Sequence, residues 1–191
     1  MTLPLQSDLR VEGIDKPISR LVLGTAFYNA ANKDAWFAIL DEFIASGGTV
    51  LDSGRVYGDS EVVLGAWLSE RKCRETVVLI TKCGHGTEHR IPEDTFEQMV
   101  SDELNISLTN LGTDYVDLYM LHRDNETMPV DRIMDRMHQE VVEGRVRTLG
   151  ASNWHYDRID AANTYAREHG LTPFTVISNN LSLAQPADAF Y

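Results

Sequence analysis

Short apolar and β-branched runs recur along this chain at a nearly constant interval, and that interval limits the possible folds more than any other feature. The runs are Leu21 to Thr25, Thr49 to Asp52, Thr76 to Thr81, Val116 to Leu121, Val146 to Gly150 and Thr175 to Ser178, each read as a strand. Their starts lie 28, 27, 40, 30 and 29 residues apart, room each time for one strand, one helix and two loops. The segments between them carry a helical period. Trp36, Ile39, Leu40, Phe43 and Ile44 share one face, as do Ile133, Met134, Met137, Val141 and Val142. Ser60 or Asp59 is placed to cap a helix running through Leu68, and Gly47-Gly48, Gly112, Gly144 and Gly170 stand where helices should stop.

Such a βα rhythm builds an all-parallel sheet with right-handed crossovers, either open and doubly wound or closed into a (β/α)8 barrel. A barrel takes about 250 residues. At 191 residues, length alone favours the open sheet. The polar residues argue the other way. Asp52 follows the second strand with Tyr57 on the next loop, Lys82 follows the third, His122 the fourth, and Ser152-Asn153 the fifth. In a barrel these strand ends form one mouth, where an acid, a phenol, an ammonium and an imidazole would meet. An open sheet gathers only the loops beside its switch point. Convergence of the four predicts an α/β fold of the (β/α)8 TIM-barrel type, with about six βα units present. A single domain over residues 1–191 is expected, beginning with a short hairpin at about residues 8–20.

Composition narrows the function classes. The 17 Lys and Arg face 29 Asp and Glu, a formal charge of −12 that repels phosphate backbones and anionic membranes, so nucleic acid is not an expected partner. Val77 to Ile80 is the longest interior aliphatic stretch, far short of the roughly 20 residues a membrane span needs. Cys73 and Cys83 are too few for a disulfide framework. With no basic and apolar leader in Met1 to Asp8, a reducing, cytoplasmic location is the expectation.

Five segments together resemble the aldo/keto reductase family. They are Leu21-Val-Leu-Gly-Thr25, the run Leu51-Asp-Ser-Gly-Arg-Val-Tyr-Gly-Asp-Ser-Glu61 with Leu64-Gly65, Ile80-Thr-Lys82, Leu111 to Asp124 (LGTDYVDLYMLHRD), and Gly144 to Asn153 (GRVRTLGASN). The resemblance implies a (β/α)8 barrel with NADPH across its mouth, NADH being the alternative cofactor, and a catalytic set of Asp52, Tyr57, Lys82 and His122. The implied reaction interconverts a small-molecule aldehyde or ketone and its alcohol. Tyr57 would be the general acid. A free tyrosine titrates at about 10, and a neighbouring ammonium, here Lys82, stabilises its phenolate. Asp52 would balance the Lys82 charge, and His122 would hydrogen-bond the substrate carbonyl. Ser152 and Asn153 would hold the nicotinamide carboxamide, with Gly24, Thr25 and Asp52 also lining the cofactor. Tyr28 and Trp154 are the expected further substrate contacts.

Two departures from the family pattern stand out. Where the family often has Gln at the end of strand six, this chain reads Ile177-Ser178-Asn179-Asn180, so Ser178 is the expected replacement, with Asn179 next. The family's seventh strand and its adenosine-phosphate grip have no counterpart here, which predicts part of a longer enzyme of about 300 residues or a shortened relative. A different function class follows from the same departure: a non-catalytic binding or regulatory protein on a reductase scaffold, in which the open edges of strands one and six pair with another chain.

Other motifs carry less. His122-Arg123-Asp124 imitates a kinase catalytic loop without a glycine-rich loop or Asp-Phe-Gly partner. Cys83, His85 and His89 match no zinc spacing, so no metal is expected. Neither dinucleotide nor P-loop glycine fingerprint occurs. Trp36, Phe37 and Phe43 read as core.

Overall fold

The computed structural model describes residues 9–86 and 90–180. Within them, six strands form one sheet in the order β1 to β6, every neighbouring pair parallel. The strands are β1 Val22–Gly24, β2 Val50–Asp52, β3 Val78–Cys83, β4 Val116–Leu121, β5 Val146–Ser152 and β6 Phe174–Ser178. Helices α1 Lys33–Ala45, α2 Ser60–Arg71, α3 Phe96–Leu111, α4 Val130–Val142 and α5 Tyr156–His169 alternate with them. This is a curled, partial (β/α)8 barrel wall, with β1 and β6 at its edges.

Side chains alternate between the two faces of a strand, and here the alternation separates two cores. Odd positions such as Leu51, Leu79, Tyr119, Leu121 and Leu149 join Leu64, Trp67, Phe96, Leu104, Ile133 and Met137 of the helices in the larger core. Even positions Val50, Val78, Ile80, Leu118 and Met120 form a second cluster with Ile14. Phe37 is buried in the larger core, and Trp36 and Phe43 pack against it half-buried. The N-terminal hairpin is minimal, one antiparallel bridge between Val11 and Ile14. It closes the N-terminal end of the sheet, where the Lys16 ammonium lies 2.8 Å from the buried Asp117 carboxylate. Residue 8, the expected start of the hairpin, is outside the described residues.

The strands differ from expectation mainly at their C-terminal ends. β3 runs past Thr81 to Cys83 because Lys82 and Cys83 pair in register with Met120 and Leu121, and β5 runs to Ser152 because Ser152 pairs with Ser178. Thr76 belongs to a short 3-10 turn, Arg74–Thr76, ahead of β3. α2 begins after Asp59, yet neither expected side-chain cap forms. The Asp59 carboxylate accepts the Ala30 N–H from the preceding βα loop, and the Ser60 hydroxyl is engaged by Thr25 and Ser53. The helix also continues past Leu68 to Arg71, ending on Lys72 in the left-handed region at φ 52°. Gly112 and Gly170 cap α3 and α5 with positive φ, and Gly47 and Gly144 adopt it one residue beyond the caps of α1 and α4.

α2 approaches α3 closely at Gly65. A β-carbon there would overlap the Asn110 carbonyl oxygen and lie 2.9 Å from the Leu111 carbonyl carbon. Backbone cannot yield as a side-chain tip can. Gly65→Ala is therefore expected to lower the unfolding free energy by about 2 kcal/mol in urea titrations; an unchanged midpoint would mean the two helices can separate freely.

Candidate active site

The even-numbered face that holds Val50, Val78 and Met120 continues at the strand C-termini as Asp52, Lys82 and His122, so a period of two brings acid, ammonium and imidazole to one end of one surface. Ser152 and Ser178 continue the same parity on β5 and β6. Lys82, inside β3, is only 3% exposed, with Nζ donating to Asp52 Oδ1 at 2.5 Å and to the Ser53 carbonyl at 2.7 Å. Burial pushes the Asp52 carboxyl above its usual range, and the Lys82 charge opposes that shift.

Tyr57 reaches this pair from the loop after β2. Its hydroxyl is 3.4 Å from His122 Nε2, the two rings meet edge to face at 5.5 Å, and Lys82 Nζ lies 4.8 Å from the Tyr57 ring centre. The loop folds this way because three hydroxyls tie it down. Thr25 bonds the Asp52 carbonyl at 2.8 Å and shares a hydrogen bond with Ser60 at 2.6 Å, while Ser60 shares another with Ser53 at 2.8 Å. His122 follows β4 directly, its N–H donating to the Cys83 carbonyl at 2.8 Å. The Asn153 amide donates to the His122 carbonyl at 3.1 Å and to Ser152 Oγ at 3.0 Å, with Asn153 in the left-handed region at φ 59°.

Asp52, Tyr57, Lys82 and His122 thus come together at one mouth. The expected cofactor residues surround it unevenly. Gly24 is exposed and has open space where a β-carbon would stand, so a flat ring can approach its backbone closely. Asn153 and Ser178 are exposed, whereas the Ser152 hydroxyl is already committed to the Ser178 carbonyl at 2.8 Å. Thr25 is fully buried and its hydroxyl is spent on the loop stitching described above.

Tyr28 and Trp154, the expected substrate contacts, both have their rings in the larger core. Tyr28 stacks on Trp36 at 4.5 Å. Trp154 packs against Phe174, and its indole N–H is satisfied by the Arg123 carbonyl at 2.9 Å, which makes burial cheap. Asn179 pins Trp154 through both backbone groups. Two apolar side chains on the loops after β1 and β2 are exposed: Phe27, at 88%, and Val56, next to Tyr57 in the sequence. Neither was identified from the sequence, because residues 26–27 form a turn, closed by the Tyr28 N–H on the Thr25 carbonyl, where strand alternation does not apply.

Among the described residues no cluster of three or more His, Cys, Asp or Glu is arranged to hold a metal ion. Cys83 faces the helix side, 1% exposed, where burial pushes its thiol well up; His89 is outside the described residues. No described helix is long and apolar enough to cross a membrane.

Comparison with known families matches residues 20–189 to the aldo/keto reductase family. The chain belongs to that family. Its relatives include norsolorinic acid reductase B of Aspergillus parasiticus, 34% identical over 78% of this chain and 41% of that protein. Norsolorinic acid reductase of Aspergillus flavus is 32% identical over 87% of this chain and 47% of its own length. An aryl-alcohol dehydrogenase [NADP(+)] of Phanerodontia chrysosporium is 33% identical over 76% and 41%. This aldo/keto reductase chain therefore spans a little under half the length of these curated relatives.

Proposed function

We propose that this aldo/keto reductase chain carries the proton-transfer half of an NADPH-dependent reductase acting on aromatic aldehydes or ketones, or on the alcohols in reverse. One observation carries the reading: a tyrosine hydroxyl and an imidazole nitrogen 3.4 Å apart, with a buried ammonium beside the tyrosine ring. A carbonyl oxygen set between Tyr57 and His122 can accept a hydrogen bond from each. As negative charge develops on that oxygen, Tyr57 gives up its proton, and the Lys82 ammonium stabilises the charge left on the phenol oxygen. Asp52 and the Ser53 carbonyl hold Lys82 in place and balance its charge. The nicotinamide, when bound, supplies the hydride. Asn153, whose amide nitrogen is used internally, offers its Oδ1 to the carboxamide, with Ser178 as the second polar contact and Gly24 allowing close approach.

The aromatic preference rests on Phe27 and Val56, apolar side chains exposed at the rim of an otherwise polar mouth. The names of the relatives, an aryl-alcohol dehydrogenase and reductases of norsolorinic acid, agree with it. Titration of the chain with NADPH, followed by nucleotide fluorescence and with NADH in parallel, is expected to show micromolar binding, about −8 kcal/mol. Benzaldehyde should then be turned over faster than propanal. Equal turnover of the two would remove the role given to Phe27, and a chain that binds NADPH yet reduces neither aldehyde would remove the reading as a whole.

A further inference from the structure

His122 is held by its backbone from two sides, yet nothing in that grip fixes how its ring is turned. The χ2 torsion of histidine is broad and roughly two-fold. A half-turn puts Cε1 where Nε2 stood, and carbon cannot make the hydrogen bond that the carbonyl requires. On one side the ring meets Tyr57, edge to face at 5.5 Å. A second ring also meets it: His85 lies 4.8 Å from His122, the planes inclined at 69°. Of these two contacts between described residues it is the closer.

His85 comes to this position by a local route. After Cys83 the chain turns at Gly84, in the left-handed region at φ 72°, and the Gly84 N–H donates to Glu103 Oε2 at 2.9 Å. Ile91, Met99 and Leu121 pack around the turn. The turn is thus anchored to α3 and to the end of β4, and a half-buried His85 is carried over the strand end that bears His122.

We infer that His85 is a positioning residue, whose ring packs against the His122 imidazole and keeps Nε2 turned toward Tyr57. The inference rests on the proposed reductase reading and deepens it by naming what orients the carbonyl-binding imidazole. A ring in edge-to-face contact resists rotation of its neighbour through shape, so the requirement is for an aromatic ring at position 85 and not for its nitrogens.

The test compares His85→Phe, which keeps a ring, with His85→Leu, which has similar bulk without one, in the 191-residue chain. With NADPH and benzaldehyde, His85→Leu is expected to lose about tenfold or more in kcat with KM unchanged, as small misplacements of reacting groups do. His85→Phe should recover to within about threefold of the parent chain. The same three proteins, without cofactor, give a second readout from long-range proton–nitrogen correlation spectra of the His122 ring. The parent and His85→Phe should show one sharp set of ring signals, and His85→Leu broadened or doubled signals.

Unchanged kcat in His85→Leu, a loss that His85→Phe does not recover, or a loss confined to KM would each overturn the inference. If the parent chain binds NADPH but shows no turnover, the reductase reading fails by itself, and in any chain without turnover the spectra alone decide the positioning role. Identical His122 signals in all three proteins would then refute it. Equal melting midpoints for the two variants identify the effect as local to the site.

Discussion

Replacing Tyr57 with Phe is expected to lower carbonyl reduction about 1,000-fold while leaving cofactor affinity within about twofold, the size of effect associated with a lost general acid. The substitution removes one oxygen and keeps the ring. Lys82 keeps its 4.8 Å contact with the ring, and Gly54 sits beside the ring, where a side chain would crowd it. What disappears is the hydroxyl that lies 3.4 Å from His122 Nε2. Folding should be unaffected, because the Tyr57 hydroxyl is not part of the Thr25, Ser53 and Ser60 network that ties the loop. Steady-state rates and a fluorescence titration on the same preparation check both halves. Turnover within tenfold of the parent would show that the proton comes from elsewhere.

The second large effect is on stability as well as rate. Lys82→Met leaves the Asp52 carboxylate and the Ser53 carbonyl without their shared donor in a site where Lys82 was 3% exposed. Removing one partner of a buried pair strands the other charge, and the cost here is about 3 kcal/mol. The cost depends on pH in a definite direction. Burial already raises the Asp52 carboxyl above its ordinary value of 3.8, and loss of the opposing Lys82 charge raises it further. A carboxyl with a raised folded pKa favours the folded state while protonated, and that contribution is lost as pH rises from about 4 through the folded value.

Urea midpoints of Lys82→Met should therefore approach those of the parent near pH 4 and fall behind as pH rises. The double variant Asp52→Asn/Lys82→Met should recover most of the stability at neutral pH and none of the activity, separating the structural from the chemical role of the pair. A single variant as stable as the parent at every pH would mean water solvates Asp52 well enough to replace the ammonium.

Much of this was legible in the sequence, for a physical reason. Parallel strands buried on both faces read as dense apolar runs, and six such runs at a βα spacing leave little choice of topology. The residues at the mouth were legible because they interrupt those runs with groups too polar to bury without a partner. Asp52, Lys82 and His122 stand at even positions where Val50, Ile80 and Met120 announce a barrel-facing side chain. Strand ends were less legible. Lys82 and Ser152 look like loop residues until their cross-strand partners Met120 and Ser178 are known.

For Tyr28 and Trp154 the sequence leaves the ring's direction open, since an aromatic ring beside a site residue can turn outward or into the core. For Trp154 the choice was made by the distant Arg123 carbonyl, which accepts its N–H. His85 was visible only as a metal-capable side chain next to Cys83. Its contact with His122, 37 positions away, depends on the left-handed turn at Gly84, which no local pattern specifies.

The most direct test of the account follows the hydrogen. The purified chain would be incubated with benzaldehyde and NADPH carrying deuterium at the transferable position, and the benzyl alcohol analysed by mass spectrometry, alongside Tyr57→Phe. The account predicts alcohol with one deuterium on the former carbonyl carbon from the parent chain and a trace from the variant. A folded parent chain that binds NADPH and yields no labelled alcohol would contradict it.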